Sequence, residues 1–223
     1  RPVEPPSDEK LDELRQRVGY RLLQLDAATR TVRKLRPDVY CDLSAIAKGY
    51  GVDQVAEFLD RRGIANYMVE VGGEVRVRGR NHLGQPWRIG IEKPIDRGRE
   101  IHRAIGLTDK AMATSGDYRN YYRADGVRIS HEIDPRTGRA VRNRLAAVTV
   151  IADDCETADA LATALMVLGP DEGYNVAERN RIAALFLVRE DGETVEELPT
   201  MSFCSWVPDA CASRPADDRP ASP

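Results

Sequence analysis

The sequence predicts an α+β fold in which antiparallel sheets pack against helices. Strand-like segments follow one another with only turns between them, and helical segments separate the groups of strands. This order favours antiparallel pairing over the regular strand–helix alternation of a doubly wound parallel sheet. The 223 residues are 42% hydrophobic, which is enough for a sizeable core.

The first segments predict a small N-terminal region, which we assign to residues 1–40. A proline-rich opening precedes an amphipathic helix that is expected over residues 8–18. Residues 20–25 and 31–35 flank a turn-like Asp-Ala-Ala-Thr sequence and therefore predict a hairpin.

A long helix is expected over residues 45–62, because apolar residues recur at helical spacing and Gly63 follows as a stop signal. Two strands are predicted on either side of the glycine pair Gly72-Gly73, at residues 66–71 and 74–78. Further strands are predicted at residues 87–91, 103–107, 126–133 and 146–151.

The second half begins with a helix signal, because Asp153 followed by Glu156 resembles a capping box. This helix is expected to end at the sequence Gly169-Pro170. A second helix over residues 171–180 is predicted to lead into a strand at residues 182–188.

We assign residues 41–190 to the core domain and residues 191–223 to a C-terminal extension. From about residue 208 onward Pro, Ala, Ser and Asp dominate, so that tail is expected to be disordered.

Composition excludes several classes of function. The net charge of −3 gives no broad basic field for nucleic acid, and no segment approaches the length of a membrane span. The opening residues do not carry the pattern of a signal peptide. The four cysteines show no CxxC spacing, which argues against zinc. The sequence leaves open whether Cys204 and Cys211 form a disulfide, and Cys41 and Cys155 are interpreted as small buried residues.

The most informative pair of residues is Asp159 and Thr163, which are four apart in a segment that otherwise predicts a buried helix. That spacing places a carboxylate and a hydroxyl on one face. Burying the carboxylate is costly unless its charge is compensated. A hard cation such as Mg²⁺ would compensate it, because Mg²⁺ prefers oxygen ligands and retains water in its other positions.

Four further motifs contain residues that suit an anionic ligand, and each also has a purely structural interpretation. In DLSAIAKGYGVD, Lys48 and the amides at a helix start can meet an anion, although an Asp cap and a surface lysine would explain it. The glycines of VGGE permit close approach of a ligand, or merely a turn. ATSGDY offers hydroxyl donors, or merely a strand exit. In HEIDPRTG, turn chemistry explains the second half but not His131, which is a candidate for proton transfer near neutral pH.

In this order and with these spacings the motifs DLSAIAKGYGVD, VGGE, ATSGDY, HEIDPRTG and CETADALATALMVLG resemble the ApbE family. Its members are the FAD:protein FMN transferases once called thiamine biosynthesis lipoproteins. The resemblance runs from about Arg30 to Val188 and implies an ApbE-like (T-fold-like) architecture. Family members normally carry a long upstream segment with an export signal or lipoprotein cysteine, so the chain is expected to correspond to the family without its N-terminal part.

The resemblance implies a role for each motif. It implies a metal held by the backbone carbonyl of Ala45 and by the side chains of Asp159 and Thr163. It implies that the flavin nucleotide contacts Asp42, Lys48 and the backbone around Ile133. It also implies that further residues line the pocket, namely Gly72, Gly73, Glu74, Thr114 and Ser115. We predict His131 as the general base that activates the acceptor hydroxyl, and Lys48 as a second positive charge on the phosphates.

The function that the resemblance implies is Mg²⁺-dependent transfer of FMN from FAD to a threonine or serine hydroxyl of an acceptor protein, with release of AMP. The implied acceptor is a flavoprotein subunit of an envelope redox complex, and the implied location is the periplasmic side of the cell envelope. Two alternatives remain open: an FAD pyrophosphatase that gives FMN and AMP, and a non-catalytic FAD-binding protein.

Overall fold

The computed structural model describes residues 6–95, 98–118, 121–124, 127–190 and 194–211, without the side chains of 121–124 and 127–129. The chain forms two compact units. The first combines Arg1–Asp42 with Tyr121–Arg142, and the second combines Leu43–Asn120 with Asn143–Pro223. Residues 121–142, which the sequence placed in a continuous core, therefore group with the N-terminal segment.

The described elements are numbered in chain order. The helices are α1 (Asp8–Arg15), α2 (Ser44–Arg61), α3 (Cys155–Arg179) and α4 (Met201–Cys204). The strands are β1 (Leu23–Asp26), β2 (Thr31–Lys34), β3 (Tyr67–Val71), β4 (Glu74–Arg78), β5 (Trp87–Glu92), β6 (Ile101–Leu107), β7 (Lys110–Gly116), β8 (Tyr121–Ala124), β9 (Val127–Ser130), β10 (Ile133–Asp134), β11 (Arg139–Ala140), β12 (Leu145–Ala152), β13 (Ala183–Arg189) and β14 (Val195–Pro199). Short 3₁₀ turns lie at Tyr20–Leu22 and Pro208–Cys211. No described helix combines the length and the apolar character that a bilayer crossing requires.

In its described residues the first unit contains α1 and three two-stranded hairpins, β1–β2, β8–β9 and β10–β11. The predicted N-terminal hairpin is present, and its turn is held by Asp26, whose side chain accepts from the N–H groups of Ala28 and Thr29 at 2.9 and 3.1 Å. In the β10–β11 hairpin, the backbone carbonyl of Asp134 accepts from the Gly138 N–H at 2.7 Å, which fits the predicted turn.

The second unit is built on a six-stranded sheet with the order β14-β13-β12-β7-β4-β3. Each neighbouring pair is antiparallel, and so is the separate hairpin β5–β6. The α+β class with antiparallel sheets is therefore confirmed.

Both faces of this sheet are covered. On one face α3 packs against apolar side chains of the central strands and α2 packs against β3 and β4. On the other face the β5–β6 hairpin and α4 enclose a second core. The side chains that the two faces bury alternate along β7, where Ala113 faces the helices and Met112 faces the hairpin.

Strand β7 was not predicted, although it pairs with both β12 and β4 near the middle of the sheet. Its sequence ends in Ala-Thr-Ser-Gly, which has low intrinsic preference for a strand interior. Hydrogen bonding on both edges and burial compensate for that low preference. Strand β14 and helix α4 were also not predicted.

The predicted start of α3 was wrong by one residue. Asp154 is the N-cap and its side chain accepts from the Thr157 N–H at 2.7 Å, whereas Asp153 pairs with Lys110. The predicted break is present, because Gly169 has a non-helical φ of 82°. Two helices therefore meet at Gly169-Pro170, as predicted, and α3 denotes both of them.

The prediction of disorder from about residue 208 is wrong for residues 208–211. Pro208–Cys211 forms a 3₁₀ turn in which Ala210 and Cys211 are buried, and Cys211 forms a disulfide with Cys204. The covalent link and the burial hold this turn against the core. The rest of the predicted tail, residues 212–223, lies outside the described residues.

Candidate active site at the contact between α2 and α3

The two long helices of the second unit approach each other closely at Gly49. A Cβ atom built on Gly49 would lie 2.3 Å from the Cys155 carbonyl oxygen and 2.8 Å from the Glu156 Cα. Only a glycine therefore permits this spacing between the helix backbones. Because Gly49 on α2 lies against the start of α3, the following turn of α3 is brought to the same surface of α2.

Asp159 occupies that following turn and is buried, with only 3% of its surface exposed. Its Oδ2 accepts a hydrogen bond from the Gly49 N–H at 2.9 Å. Burial raises the pKa of Asp159, and the Gly49 N–H and the nearby Lys48 charge oppose that rise. In a regular helix the Gly49 N–H is the partner of the Ala45 carbonyl, so Asp159 competes with that carbonyl for the same donor.

Thr163 lies one turn beyond Asp159 on α3, as the sequence predicted. Its hydroxyl is 3.2 Å from the Ser115 hydroxyl of β7. Thr114, the neighbouring residue, faces the opposite side of the sheet and pairs with Thr149 at 2.8 Å. Of the two predicted pocket hydroxyls on β7, only that of Ser115 therefore lies on the side of α3.

Lys48 and Glu74 form the second part of the site. The Lys48 Nζ lies 2.6 Å from the Glu74 Oε1, and Glu74 is only 1% exposed. Its other oxygen, Oε2, is buried and has no hydrogen-bond partner among the described residues. Burial raises the pKa of Glu74, Lys48 opposes this, and the charge of Asp159 raises it further.

The VGGE motif forms the tight turn between β3 and β4. Gly72 and Gly73 have positive φ values of 66° and 107°, and Val71 pairs directly with Glu74. Two consecutive positive φ values are typical of two-residue hairpin loops. A Cβ on Gly72 would lie 3.2 Å from the Lys48 Cδ, so this turn lies against the lysine side chain.

The remaining predicted residues, Asp42, His131 and Ile133, lie in the first unit. Asp42 precedes the N-cap position of α2, and His131 is an exposed residue between β9 and β10. Ile133 is the first residue of β10 and is exposed. Their assignments remain predictions from the motifs that contain them.

The residues present fit a hard divalent cation. Asp159 and Glu74 are two buried carboxylates that share a single ammonium, so their surroundings favour additional positive charge. Within the described ranges no group of three or more His, Cys, Asp or Glu side chains forms a metal cluster. One carboxylate, a hydroxyl and a backbone carbonyl nevertheless suit Mg²⁺, which commonly keeps waters and binds substrate phosphates in its other positions.

Gly49 and Asp53 lie in the DLSAIAKGYGVD motif, and the sequence alone predicts no role for either of them. Gly49 donates to Asp159, and Asp53 accepts from the N–H groups of Cys155 and Glu156. Two features of the sequence could have indicated these roles. A glycine inside a helix costs about 1 kcal/mol relative to alanine, so Gly49 indicates a close approach of another element. An Asp among the buried residues of α2 indicates a buried polar contact.

Comparison with known proteins identifies the family. Residues 1–186 match the sequence profile of the ApbE family. A protein of Vibrio cholerae named FAD:protein FMN transferase is 52% identical over 80% of this chain and 53% of its own length, and one of Haemophilus influenzae is 49% identical over 80% and 52%. The chain thus spans about half the length of the curated relatives that it matches.

Solved structures agree with the fold. The flavin transferase ApbE from Vibrio cholerae superposes with a TM-score of 0.80 at 48% identity, over 92% of this chain and 64% of that one. The flavinyl transferase ApbE of Pseudomonas stutzeri gives 0.80 at 40% identity, over 91% and 62%. Since the profile covers most of the sequence and the fold agrees, this chain belongs to the ApbE family.

Proposed function

We propose that this chain transfers FMN from FAD to a threonine or serine hydroxyl of an acceptor protein, with release of AMP and with dependence on Mg²⁺. The observation that carries the proposal is the pair of buried carboxylates, Asp159 and Glu74, next to Lys48. Such a site suits a cation bound to a diphosphate. The name FAD:protein FMN transferase, which the curated relatives from Vibrio cholerae and Haemophilus influenzae carry, adds the reaction class.

The proposed reaction exchanges one P–O bond for another. The acceptor hydroxyl attacks the phosphorus of the FMN half, and a new phosphoester bond forms there. The bond from this phosphorus to the bridging oxygen breaks, and AMP leaves with that oxygen. The hydroxyl gives up its proton during the exchange, so the reaction needs a base as well as charge neutralisation.

The residues of the second unit supply the charge neutralisation. Mg²⁺ held by Asp159, Thr163 and the Ala45 carbonyl would neutralise the diphosphate and polarise its phosphorus. Lys48 donates a charged hydrogen bond to a phosphate oxygen. Glu74 accepts a hydrogen bond from Lys48 and thereby keeps the Lys48 ammonium on the same side as Asp159.

His131 is the proposed base. The proposal rests on its position in the HEIDPRTG motif and on its exposed side chain, which a protein substrate can reach. A general base typically contributes about 10²–10⁴-fold to the rate. His131→Ala is therefore expected to retain binding of FAD and Mg²⁺ and to lose transfer by that factor. His82→Ala is the matched control, because His82 is also exposed, whereas His102 contacts Glu197 at 2.6 Å.

The experiment that tests the proposal is the mass of a threonine-containing acceptor peptide after incubation with the chain, FAD and Mg²⁺. A gain of one FMN moiety minus water is expected, together with AMP. A peptide with valine in place of threonine, and a reaction with a chelator, are the controls. Free FMN and AMP with an unmodified peptide would favour the pyrophosphatase, and folded protein that binds FAD but releases no AMP would favour a non-catalytic FAD-binding protein.

We further propose that the acceptor is a flavoprotein subunit of a redox complex at the cell envelope and that the transfer occurs on the periplasmic side. The family resemblance supports this location. Detection of covalent FMN on a cytoplasmic protein in place of an envelope subunit, in cells that express the protein, would contradict it.

A further inference from the structure

We propose that Asp53 is a positioning residue that holds the first turn of α3 on α2 and thereby fixes where the Asp159 carboxylate lies. This inference rests on the proposed function, in which Asp159 holds Mg²⁺. It assigns to Asp53 no contact with the metal or with FAD.

Asp53 projects from α2 and is almost completely buried, with 5% of its surface exposed. Its Oδ1 accepts from the Cys155 N–H at 3.0 Å and its Oδ2 accepts from the Glu156 N–H at 2.8 Å. Arg76 of β4 donates to Oδ1 at 2.6 Å. One carboxylate therefore joins α2, α3 and the sheet.

These contacts complete the N-terminus of α3. The first four N–H groups of a helix lack partners within the helix. The Ala158 N–H makes the first regular helical bond, to the Asp154 carbonyl at 3.3 Å, which leaves the N–H groups of Cys155, Glu156 and Thr157 without a partner in the helix backbone. The Asp154 side chain accepts from the Thr157 N–H at 2.7 Å. Asp53 accepts from the other two, so two of these three N–H groups are capped by another helix, which holds α3 in place.

One turn away the same two helices exchange roles. At the first level, α2 supplies the carboxylate of Asp53 and α3 supplies N–H groups at Cys155. At the second level, α2 supplies the N–H of Gly49 and α3 supplies the carboxylate of Asp159. Gly49 and Asp53 are four residues apart on α2, and Cys155 and Asp159 are four residues apart on α3, so both pairs lie one helical turn apart. We call these two sets of hydrogen bonds between the antiparallel helices the clasp. A shift of α3 that breaks the Asp53 level displaces Asp159 as well.

The alternative is that Asp53 contributes only to stability. Asp60 provides a matched control for this alternative, because it lies two turns further along α2. It also joins α2 to the sheet, through an ion pair with Arg78 of β4 and a 2.9 Å hydrogen bond from the Tyr67 hydroxyl. Within the described part of the chain these two partners of Asp60 lie on β3 and β4 and not on α3. Loss of Asp60 should therefore destabilise the protein without moving Asp159.

The test compares Asp53→Asn with Asp60→Asn by calorimetric titration with Mg²⁺ alone, alongside urea unfolding. In the wild-type protein the Asp53 carboxylate accepts from three donors: the Cys155 N–H, the Glu156 N–H and Arg76. The Asn side chain has an NH₂ group in place of one carboxylate oxygen, so it can no longer accept from all three donors. We expect the Kd for Mg²⁺ to rise about 10-fold or more in Asp53→Asn, as for outer-sphere residues of other metal sites. In Asp60→Asn it should stay within about 2-fold of wild type. A folded Asp53→Asn protein that binds Mg²⁺ like wild type would overturn the inference.

Amide hydrogen exchange of the wild-type protein provides a second measurement, which applies even if Asp53→Asn does not fold. The first two amides of α3, Cys155 and Glu156, should exchange slowly because Asp53 accepts both. Fast exchange, as at an uncapped helix start, would also overturn the inference. If wild-type protein shows these slow amides but binds no Mg²⁺, the proposed function fails and the clasp remains.

Discussion

Replacing Gly49 by alanine provides the sharpest test of the packing between α2 and α3. The new Cβ would lie 2.3 Å from the Cys155 carbonyl oxygen and 2.6 Å from its carbon, whereas ordinary contact begins near 3.4 Å. Both neighbours are backbone atoms, so no side-chain rotation can relieve the overlap. The helices would have to separate by about 1 Å, since close-packed interiors do not absorb such overlaps elsewhere.

The magnitude follows from two opposing effects. Overpacking typically costs about 1–3 kcal/mol, and alanine gains about 0.8–1 kcal/mol over glycine inside a helix. Gly51 on the same helix isolates the second effect, because a Cβ there has no neighbour within 4 Å. Gly51→Ala should therefore be more stable than wild type, and Gly49→Ala less stable than Gly51→Ala by about 3 kcal/mol, the upper end of the overpacking range.

Urea denaturation followed by circular dichroism measures both variants against wild type. The Mg²⁺ affinity of Gly49→Ala should also fall, because the displaced helix takes the Asp159 acceptor away from the Gly49 N–H. Equal stability of the two alanine variants would refute the close approach of the helices. Lower stability of Gly51→Ala than of wild type would refute the use of helix propensity in this comparison.

Three further predictions concern the carboxylates and the disulfide. Glu74→Gln should change the free energy of unfolding by less than about 1 kcal/mol, because it removes a buried charge while the Gln amide oxygen can still accept from Lys48. It should weaken FAD binding in a fluorescence titration. An unchanged FAD affinity would contradict the role of Glu74 in orienting Lys48. The raised pKa values of Asp159 and Glu74 mean that both groups bind protons more tightly in the folded state than in the unfolded state. Their protonation therefore stabilises the fold at low pH. This contribution is lost as the pH rises above the ordinary pKa values of 3.8 and 4.5 and passes through the raised pKa values of the folded state. Mg²⁺ competes with those protons, so the rise in melting temperature that Mg²⁺ causes should grow over that pH range, and a pH-independent rise would contradict this. Replacing Cys204 and Cys211 by serine should cost about 2–3 kcal/mol in urea unfolding, as expected for a short closed loop, and a cost near zero would show that burial alone holds the turn.

The sequence predicted the elements whose pattern is strongly periodic and failed where tertiary pairing determines the structure. Helix α2 and the β3–β4 hairpin lie within a residue or two of their predicted ranges, because apolar spacing and the paired glycines act locally. Strand β7 was missed because its small and polar residues take a strand conformation only when β4 and β12 pair with both edges. No local pattern carries that information.

The candidate site divides in the same way. The sequence alone predicted that Asp159 and Thr163 lie on one face of a helix and that burying the Asp159 carboxylate is costly. That Glu74 is buried against Lys48 was not readable, because these residues belong to different motifs and meet only after folding. The role of Asp53 could not be predicted for the same reason, since its partners on α3 lie 102 and 103 residues later in the chain.

The clasp between α2 and α3 also explains why the two motifs have matching four-residue spacings. A slip of α3 by one turn in one direction would bring the Asp53 carboxylate to the level of the Asp159 carboxylate. Two such charges about 4 Å apart repel by about 4 kcal/mol at an effective dielectric constant of about 20. A slip in the other direction would move the Asp159 carboxylate away from the Gly49 N–H and the Asp53 carboxylate away from the Cys155 and Glu156 N–H groups. Only the observed register pairs each carboxylate with donors, so the contacts that hold the helices together also determine where the candidate metal site forms.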